Sequence, residues 1–74
     1  MRLKDLREDS DIKQQELADL LHIRQNTFSQ YENENRQIPI DMLIQLAYFY
    51  NVSVDYILGI TDEQKPYPRN KNAM

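Results

Sequence analysis

The chain has 74 residues, of which 41% are hydrophobic, and it carries a formal net charge of -3 and no cysteine. This length suits one domain with one small core, and the lack of cysteine excludes disulfides and cysteine metal sites. No segment approaches the roughly 20 apolar residues of a transmembrane helix, and the N-terminus has no apolar signal-peptide core. We therefore expect a soluble, cytoplasmic protein without a membrane partner.

Helical periodicity runs through most of the sequence. Apolar residues recur at helical spacing, no segment shows sustained alternation, and the chain contains one glycine and three prolines. In the first helix we expect Leu3 and Leu6 to face inward and Arg7 to face solvent. Helix four is the most hydrophobic and is the expected centre of the core. The predicted helices cover residues 2–8, 14–21, 25–32, 40–50 and 54–58, which predicts an all-α fold.

The end of the domain is marked by residues with strong preferences at helix ends. Asn51 tolerates the left-handed conformation that can end helix four, Ser53 is a favoured N-cap for helix five, and Gly59 is typical of a helix C-terminus. Beyond this point two prolines and scattered charges replace the apolar pattern. We expect a domain over residues 1–60 and a flexible tail over residues 61–74.

Helices two and three are short and are joined by a tight turn. In the third helix, Phe28 and Tyr31 share one face, because side chains three residues apart lie on the same side of a helix. The opposite face carries amide and hydroxyl side chains: Asn26, Ser29, Gln30 and Asn33. A helix with an apolar inner face and an uncharged polar outer face suits contacts with base edges. This arrangement predicts sequence-specific binding to double-stranded DNA.

Five fragments of the sequence follow one another at characteristic spacings. They are Arg2-Leu3-Lys4-Asp5-Leu6-Arg7, Gln14-Gln15-Glu16-Leu17-Ala18, Tyr31-Glu32-Asn33, Ile38-Pro39-Ile40 and Asn51-Val52-Ser53-Val54-Asp55-Tyr56-Ile57-Leu58-Gly59. In this order they resemble the Cro and phage-repressor type of helix-turn-helix regulator, the XRE family, over about residues 2–60. The resemblance implies a five-helix, lambda-repressor-like domain. It also implies a homodimer that inserts the third helix of each subunit into the major groove of a two-fold symmetric operator.

The resemblance implies roles for individual positions as well. The residues of helix three that would contact bases are Gln25, Asn26, Ser29 and Gln30. Gln14, at the start of helix two, and Asn33, at the end of helix three, would contact the DNA backbone. Arg36, in the following loop, is either solvated or in contact with a phosphate, and we favour the phosphate.

The sequence departs from the family pattern where helices two and three begin. Lys13 and Arg24 stand where family members usually have a capping Thr or Ser, whose loss costs about 1 kcal/mol per helix. A cation at the positive end of a helix dipole is also unfavourable. Two interpretations remain open. Either these exposed substitutions are drift with little effect, or both cations reach phosphates and offset an acidic net charge that otherwise weakens DNA binding.

A second departure concerns two turns in which the family favours glycine. His22 follows helix two, and a histidine tolerates a positive φ at some cost. Glu34 follows helix three, where we expect Asn35 to take the left-handed conformation instead. We interpret His22, the one histidine of the chain, as structural rather than as a metal ligand or a pH switch.

Aromatic residues are concentrated in the last two predicted helices. Their number exceeds what a domain of this size can bury fully, and exposed aromatic patches often mark interfaces. The predicted dimer contacts are Tyr48, Phe49, Tyr56 and Ile60.

The composition and the motifs argue against an enzyme. The chain has no cysteine and one histidine, no glycine-rich phosphate loop and no acid–base pair suited to a pocket. We predict no cofactor, no metal and no small-molecule ligand. The favoured function is a transcriptional regulator, a repressor that occupies a promoter. The alternative keeps the fold but makes it a protein-interaction module or the antitoxin of a toxin–antitoxin pair.

Overall fold

Five α-helices make up the domain in the computed structural model of the protein, which describes residues 1–68. No strand is present in that range. The predicted all-α fold with five helices is confirmed, and helices two to five have the predicted bounds. The first helix begins and ends one residue later than predicted. The helices are α1 (Leu3–Asp9), α2 (Gln14–Leu21), α3 (Gln25–Glu32), α4 (Ile40–Tyr50) and α5 (Val54–Leu58).

A single hydrophobic core lies where the five helices meet. Each helix contributes one large side chain that is essentially completely buried: Leu3, Leu17, Phe28, Leu46 and Ile57. In α4, Leu43 and Ala47 are buried beside Leu46, and their spacing of three and four residues places them on one face of the helix. Burying each large apolar side chain contributes about 1.5–3 kcal/mol. Because helices this short are marginal in isolation, the shared core is what stabilises them.

The described residues contain neither a helix suited to cross a membrane nor a cluster of metal ligands. The longest of them, α4, has 11 residues. None of the helices in the described range is long and apolar enough to cross a membrane. Within residues 1–68, no group of three or more His, Cys, Asp or Glu side chains is placed to hold a metal ion.

All five helices of the described range end with the same hydrogen-bonding pattern. Just beyond each helix, a left-handed residue donates its N–H to the carbonyl three residues earlier. The next residue donates to the carbonyl five residues earlier, and these N···O distances lie between 2.9 and 3.2 Å. This Schellman arrangement satisfies carbonyls that a helix end leaves without partners. The left-handed residues are Asp11, His22, Glu34, Asn51 and Gly59.

The end of α3 differs from the sequence prediction. We expected Asn35 to take the left-handed conformation, but Glu34 takes it, with a φ of 59°. The hydrogen bonds explain the difference, because the N–H of Glu34 donates to Tyr31 at 3.1 Å and that of Asn35 donates to Gln30 at 2.9 Å. This pair of bonds requires the left-handed residue at position 34. The left-handed conformations expected at the ends of α2, α4 and α5 are observed.

Residues 61–68 lie along α5. The amide of Gln64 donates to the hydroxyl of Tyr56 at 3.1 Å, and the hydroxyl of Tyr67 donates to the carboxylate of Asp55 at 2.6 Å. The hydrogen bond with Asp55 raises the pKa of the Tyr67 hydroxyl. This segment therefore follows the surface of the last helix rather than leaving it directly.

Arg2 holds the beginning of this segment. Its Nη1 donates to the carbonyl oxygens of Tyr56 and Thr61, at 2.9 and 2.5 Å, and its Nη2 forms an ion pair with Asp62. The tail predicted over residues 61–74 reaches beyond the described part of the chain, which ends at residue 68. Its flexibility stays a prediction.

The turn after α2 offers a test of the backbone strain. His22 has a φ of 58°, a conformation in which a Cβ is unfavourable. Replacing it by glycine (His22→Gly) should raise the free energy of unfolding by about 0.5–1 kcal/mol, which corresponds to roughly 2–8 °C in Tm. Thermal unfolding followed by circular dichroism measures this change.

The matched control is His22→Ala, which removes the imidazole but keeps the Cβ and therefore keeps the strain. We expect this variant to remain below His22→Gly in stability. Equal Tm values for the two variants would show that the turn is not strained.

Candidate nucleic-acid interface

The outer face of α3 is supported by an inner face that the core holds in place. Phe28 is completely buried and Tyr31 nearly so. Gln25, Asn26 and Gln30 point the other way and are exposed. Because packed side chains lock the rotation of the helix, the polar side chains project from a rigid support.

An open groove of about 460 Å³ lies along α3 and continues to the start of α2 and the loop after α3. Its lining consists of uncharged polar side chains: Gln14, Gln25, Asn26, Ser29, Gln30, Asn33 and Asn35. All four side chains predicted to contact bases line this groove. Two of those predicted to contact the DNA backbone, Gln14 and Asn33, line it as well.

Asn35 also lines the groove, although the only role predicted for it was in the turn after α3. It lies two residues after Asn33, in the loop that leads away from α3. Its amide side chain could have identified it, because this amide continues the series of amide side chains on α3 beyond the end of the helix.

The lining of the groove determines what it can do chemically. Six amides and one hydroxyl line it, and each amide offers one acceptor oxygen and two donor hydrogens. Such groups match the donor and acceptor patterns that bases present in the major groove. None of the groove side chains titrates near neutral pH, so this pattern does not change with physiological pH. The arrangement is that of a binding surface.

Hydrogen bonds connect the side chains of the groove to one another and to the interior. Gln14 Nε2 donates to Glu32 Oε1 at 2.8 Å, and Gln25 Nε2 donates to Gln14 Oε1 at 3.4 Å. On α3 itself, Asn33 Nδ2 donates to Ser29 Oγ at 3.4 Å. The start of α2 is thereby linked to both ends of α3.

Glu32, the last residue of α3, is buried in an ion pair with Arg7 of α1. Arg7 donates from Nε to Oε2 at 2.5 Å and from Nη2 to Oε1 at 3.2 Å, and its Nη1 donates to the carbonyl of Ile12 at 3.0 Å. The Glu32 side chain has 0% exposure and that of Arg7 has 15%. The hydrogen bond to Glu32 is the main cause of a raised Arg7 pKa, which burial opposes. Burial is also the main cause of a raised pKa at Tyr50, which lies near this pair.

The prediction that Arg7 faces solvent was wrong, and the burial of Glu32 was not predicted. One signal was available: Glu32 follows Phe28 by four residues and therefore lies on the core side of α3. A buried carboxylate requires a partner of opposite charge. That partner lies 25 residues away in the sequence, and helical spacing does not identify a partner at such a separation.

The predicted cationic contacts fall into two places. Lys13 and Arg24 are the N-cap residues of α2 and α3, with extended backbones and no capping hydrogen bond from their side chains. Both are exposed, and each directly precedes a groove residue. Arg36 instead lies with its guanidinium 6.0 Å from the ring centre of Tyr31. It lines a separate hollow of about 290 Å³.

The side chains predicted as dimer contacts divide into two groups. Phe49 and Ile60 are 49% and 71% exposed. Tyr48 and Tyr56 are only partly exposed, and the Arg2 guanidinium lies over the ring of Tyr56 at 4.4 Å from its centre. Tyr56 therefore packs within its own chain.

Other large hydrophobic side chains in the described range are exposed as well, and their exposure was not predicted: Leu20, Ile40, Leu58 and Tyr67. Ile40, at the start of α4, is 73% exposed, and Leu58, at the end of α5, is 40% exposed. Leu58 lines the hollow that also contains Arg36 and Glu34. The helical positions of Ile40 and Leu58 match those of core residues, so spacing alone gave no signal that they face solvent.

Comparison with known proteins places this fold in a family. Residues 3–57 match the family model described as helix-turn-helix, HTH_3. No solved structure gave a significant match to the chain.

Relatives were found among bacterial regulators. The chain is 41% identical over 71 residues to the HTH-type transcriptional regulator YobD of Bacillus subtilis, which covers 96% of this chain and 63% of YobD. It is 41% identical over 64 residues to the HTH-type transcriptional regulator ImmR of the same organism, covering 86% of this chain and 50% of ImmR. It is 38% identical over 50 residues to the HTH-type transcriptional regulator YbaQ of Escherichia coli, covering 68% of this chain and 44% of YbaQ. The chain thus spans about half the length of these relatives.

The ion pair beneath the groove gives a prediction about stability. Replacing Arg7 by leucine (Arg7→Leu) leaves the Glu32 carboxylate buried and without its cation, which should lower the free energy of unfolding by about 3 kcal/mol or more. The double variant Arg7→Leu with Glu32→Leu removes both charges and should recover most of the loss. Urea unfolding at equilibrium measures all three proteins.

The control is Lys4→Leu, which removes an exposed cation from the same helix and should change stability by no more than about 0.5 kcal/mol. The interpretation fails if Arg7→Leu is as stable as the unaltered protein. It also fails if the double variant is no more stable than the single one.

Proposed function

Because the chain belongs to the Cro/C1-type XRE family of helix-turn-helix transcriptional regulators, we propose that it binds double-stranded DNA in a sequence-specific manner and regulates transcription. The observation that carries this proposal is the groove along α3, which is lined by uncharged donor and acceptor groups alone. Its role is non-enzymatic and requires no cofactor.

In the proposed complex, α3 enters the major groove. A helix with its side chains is about 10–12 Å wide, which fits the roughly 12 Å width of that groove. The side chains that would contact base edges are Gln25, Asn26, Ser29 and Gln30. Their placement together in one groove supports this assignment. Asn35, which lines the same groove, would lie at the edge of the contact.

Contacts with the DNA backbone would come from the groove ends and its margins. Gln14 and Asn33 both line the groove, Gln14 at the start of α2 and Asn33 directly after α3. Lys13 and Arg24, exposed at the helix starts, would add charge where α2 and α3 approach the phosphates. Arg36, next to its own hollow, would reach a phosphate through its long side chain. With a net charge of -3, the protein would depend on these few cations for its attraction to DNA.

The regulator would act as a homodimer that represses transcription by occupying a two-fold symmetric operator. Apolar side chains exposed on α4 and after α5 support such an interface, because large exposed apolar groups are frequent where proteins associate. Phe49 and Ile60 are the exposed members of the predicted set, and Ile40 and Leu58 extend it. The less exposed Tyr48 and Tyr56 would contribute at the margin of the contact.

Selection of bound sequences from a random pool of double-stranded DNA, with purified protein at moderate salt, tests this function. We expect one inverted-repeat motif whose half-sites lie about one helical turn, roughly 34 Å, apart. The variant Gln30→Ala should weaken the selection at the bases that Gln30 contacts without altering the rest of the motif.

The other outcomes of the selection are equally informative. Recovery of a single short half-site would support sequence-specific DNA binding and would contradict the proposed dimer. If no sequence is enriched even at low salt, DNA binding is contradicted, and the protein-interaction or antitoxin alternative takes its place.

The cation at the start of α2 gives a second prediction. The variant Lys13→Thr introduces a capping hydroxyl and should raise the free energy of unfolding by about 1 kcal/mol. If Lys13 contacts a phosphate, the same variant should reduce the slope of log K against log salt concentration by about one. Thermal unfolding and binding titrations at several salt concentrations measure the two effects.

The control variant is Lys4→Thr, which changes the net charge equally on α1, away from the groove. We expect its salt dependence to equal that of the unaltered protein. An unchanged slope for Lys13→Thr would remove Lys13 from the DNA contact.

A further inference from the structure

We propose that Arg2 is a positioning residue for the homodimer. It presets the turn after α5 that carries Leu58 and Ile60, so that Ile60 of each copy enters the hollow beside Leu58 of the other copy. The proposal rests on the proposed homodimer. It adds the side chain that makes the contact, the recess that receives this side chain and the residue that holds it in place.

Arg2 contacts the chain on both sides of this turn. Before the turn, the N–H of Arg2 donates to the carbonyl of Ile57 at 2.7 Å. The guanidinium donates to the carbonyl of Tyr56 at 2.9 Å and lies over the ring of the same residue. After the turn, it donates to the carbonyl of Thr61 at 2.5 Å and forms an ion pair with Asp62. Because the donors of an arginine form a rigid fork, one side chain ties the two ends of the turn together.

The turn between these anchor points has a defined backbone. Gly59 has a φ of 83°, and its N–H donates to the carbonyl of Tyr56 at 3.1 Å. The N–H of Ile60 donates to the carbonyl of Asp55 at 3.0 Å. These bonds satisfy carbonyls at the end of α5. With its backbone bonded and its ends held by Arg2, the turn presents the side chains of residues 58 and 60 in fixed directions.

Both of these side chains are apolar and exposed. Ile60 is 71% exposed, and Leu58 is 40% exposed. Covering such a side chain removes apolar surface from water, which favours association. A contact made by a side chain that is already ordered also loses less conformational entropy than one that must be ordered on binding. A preset Ile60 is therefore suited to a contact between two molecules.

The hollow of about 290 Å³ beside Leu58 supplies the matching recess. Ile38, Leu43 and Leu58 contribute apolar side chains to its lining, which also includes one acidic and one basic side chain. A second copy of this chain is the occupant that these observations favour. Leu58 lines the hollow and lies two residues before Ile60, so the projecting side chain and the recess share one surface, as a two-fold contact requires. Because the lining carries both signs of charge, two identical surfaces can face each other with opposite charges paired.

The dissociation constant of the dimer, measured by sedimentation equilibrium with the full chain, tests this contact. The variant Ile60→Ser removes the projecting side chain and should raise the dissociation constant about 10-fold or more. The variant Arg2→Gln removes the fork of donors and should raise it about 3-fold or more. Circular dichroism at the same temperature shows whether each variant is folded. If Arg2→Gln does not fold, Arg2→Lys takes its place.

A double-mutant cycle separates positioning from a general loss of stability. If Arg2 acts by presetting Ile60, the change Arg2→Gln loses its effect on the dimer once Ile60→Ser has removed the contact. We expect it to alter the dissociation constant by less than about 2-fold in that background. A merely structural role of Arg2 would lower Tm and would weaken the dimer equally in both backgrounds.

Two further variants isolate the geometry of the arginine. Asp62→Asn removes an ion pair whose acidic side chain is 98% exposed. Since exposed ion pairs contribute little, this control should leave the dissociation constant unchanged. Arg2→Lys keeps the positive charge but loses the fork of donors, and it should weaken the dimer as Arg2→Gln does.

The proposal is overturned if Ile60→Ser or Arg2→Gln dimerises as well as the unaltered protein, or if Arg2→Gln has the same effect in both backgrounds. In these cases the dimer itself and the selected DNA motif would still support the proposed function. If the unaltered protein stays monomeric throughout the concentration series and selects a single half-site, the proposed homodimer and this proposal fail together.

Discussion

The buried ion pair between Arg7 and Glu32 is the interaction on which the geometry of the first three helices depends. A carboxylate with no exposed surface is tolerated only when opposite charge and hydrogen bonds replace its lost hydration. Arg7 and Gln14 supply these hydrogen bonds. Because they come from α1 and from the start of α2, while Glu32 ends α3, the charge of one residue fixes three helices relative to one another.

The same ion pair and the core together hold the two helices that line the groove. The buried ring of Phe28 fixes the rotation of α3 against the core. The hydrogen bond that Gln14 donates to Glu32 holds the start of α2 beside the end of α3. Specific contacts with bases require donors and acceptors held in defined positions. The charge of Glu32 is buried and accepts a hydrogen bond from the groove residue Gln14, while the groove lining itself carries no charge. In this acidic protein the lining of the groove is uncharged, and the exposed cations Lys13 and Arg24 lie at its margin.

The bounds of the helices were predictable from the sequence, whereas one left-handed turn residue was not. The bounds of α2 to α5 followed from apolar spacing together with local signals at the helix ends, such as the capping serine at position 53 and the glycine at position 59. These are interactions between residues close in sequence, and their physics is local. The left-handed residue after α3 was assigned to Asn35 instead of Glu34 because residue preference was weighed without the pattern of hydrogen bonds that decides it.

By itself, the sequence determined an all-helical domain, its core side chains and the polar face of α3, because helical periodicity assigns each residue to an inner or an outer face. The tertiary structure decided which distant residues meet. It placed Arg7 against Glu32 across 25 positions of sequence, brought Asn35 into the groove and covered Tyr56 with Arg2. The physical reason is that periodicity gives the direction of a side chain, whereas pairing between elements depends on how helices pack in three dimensions.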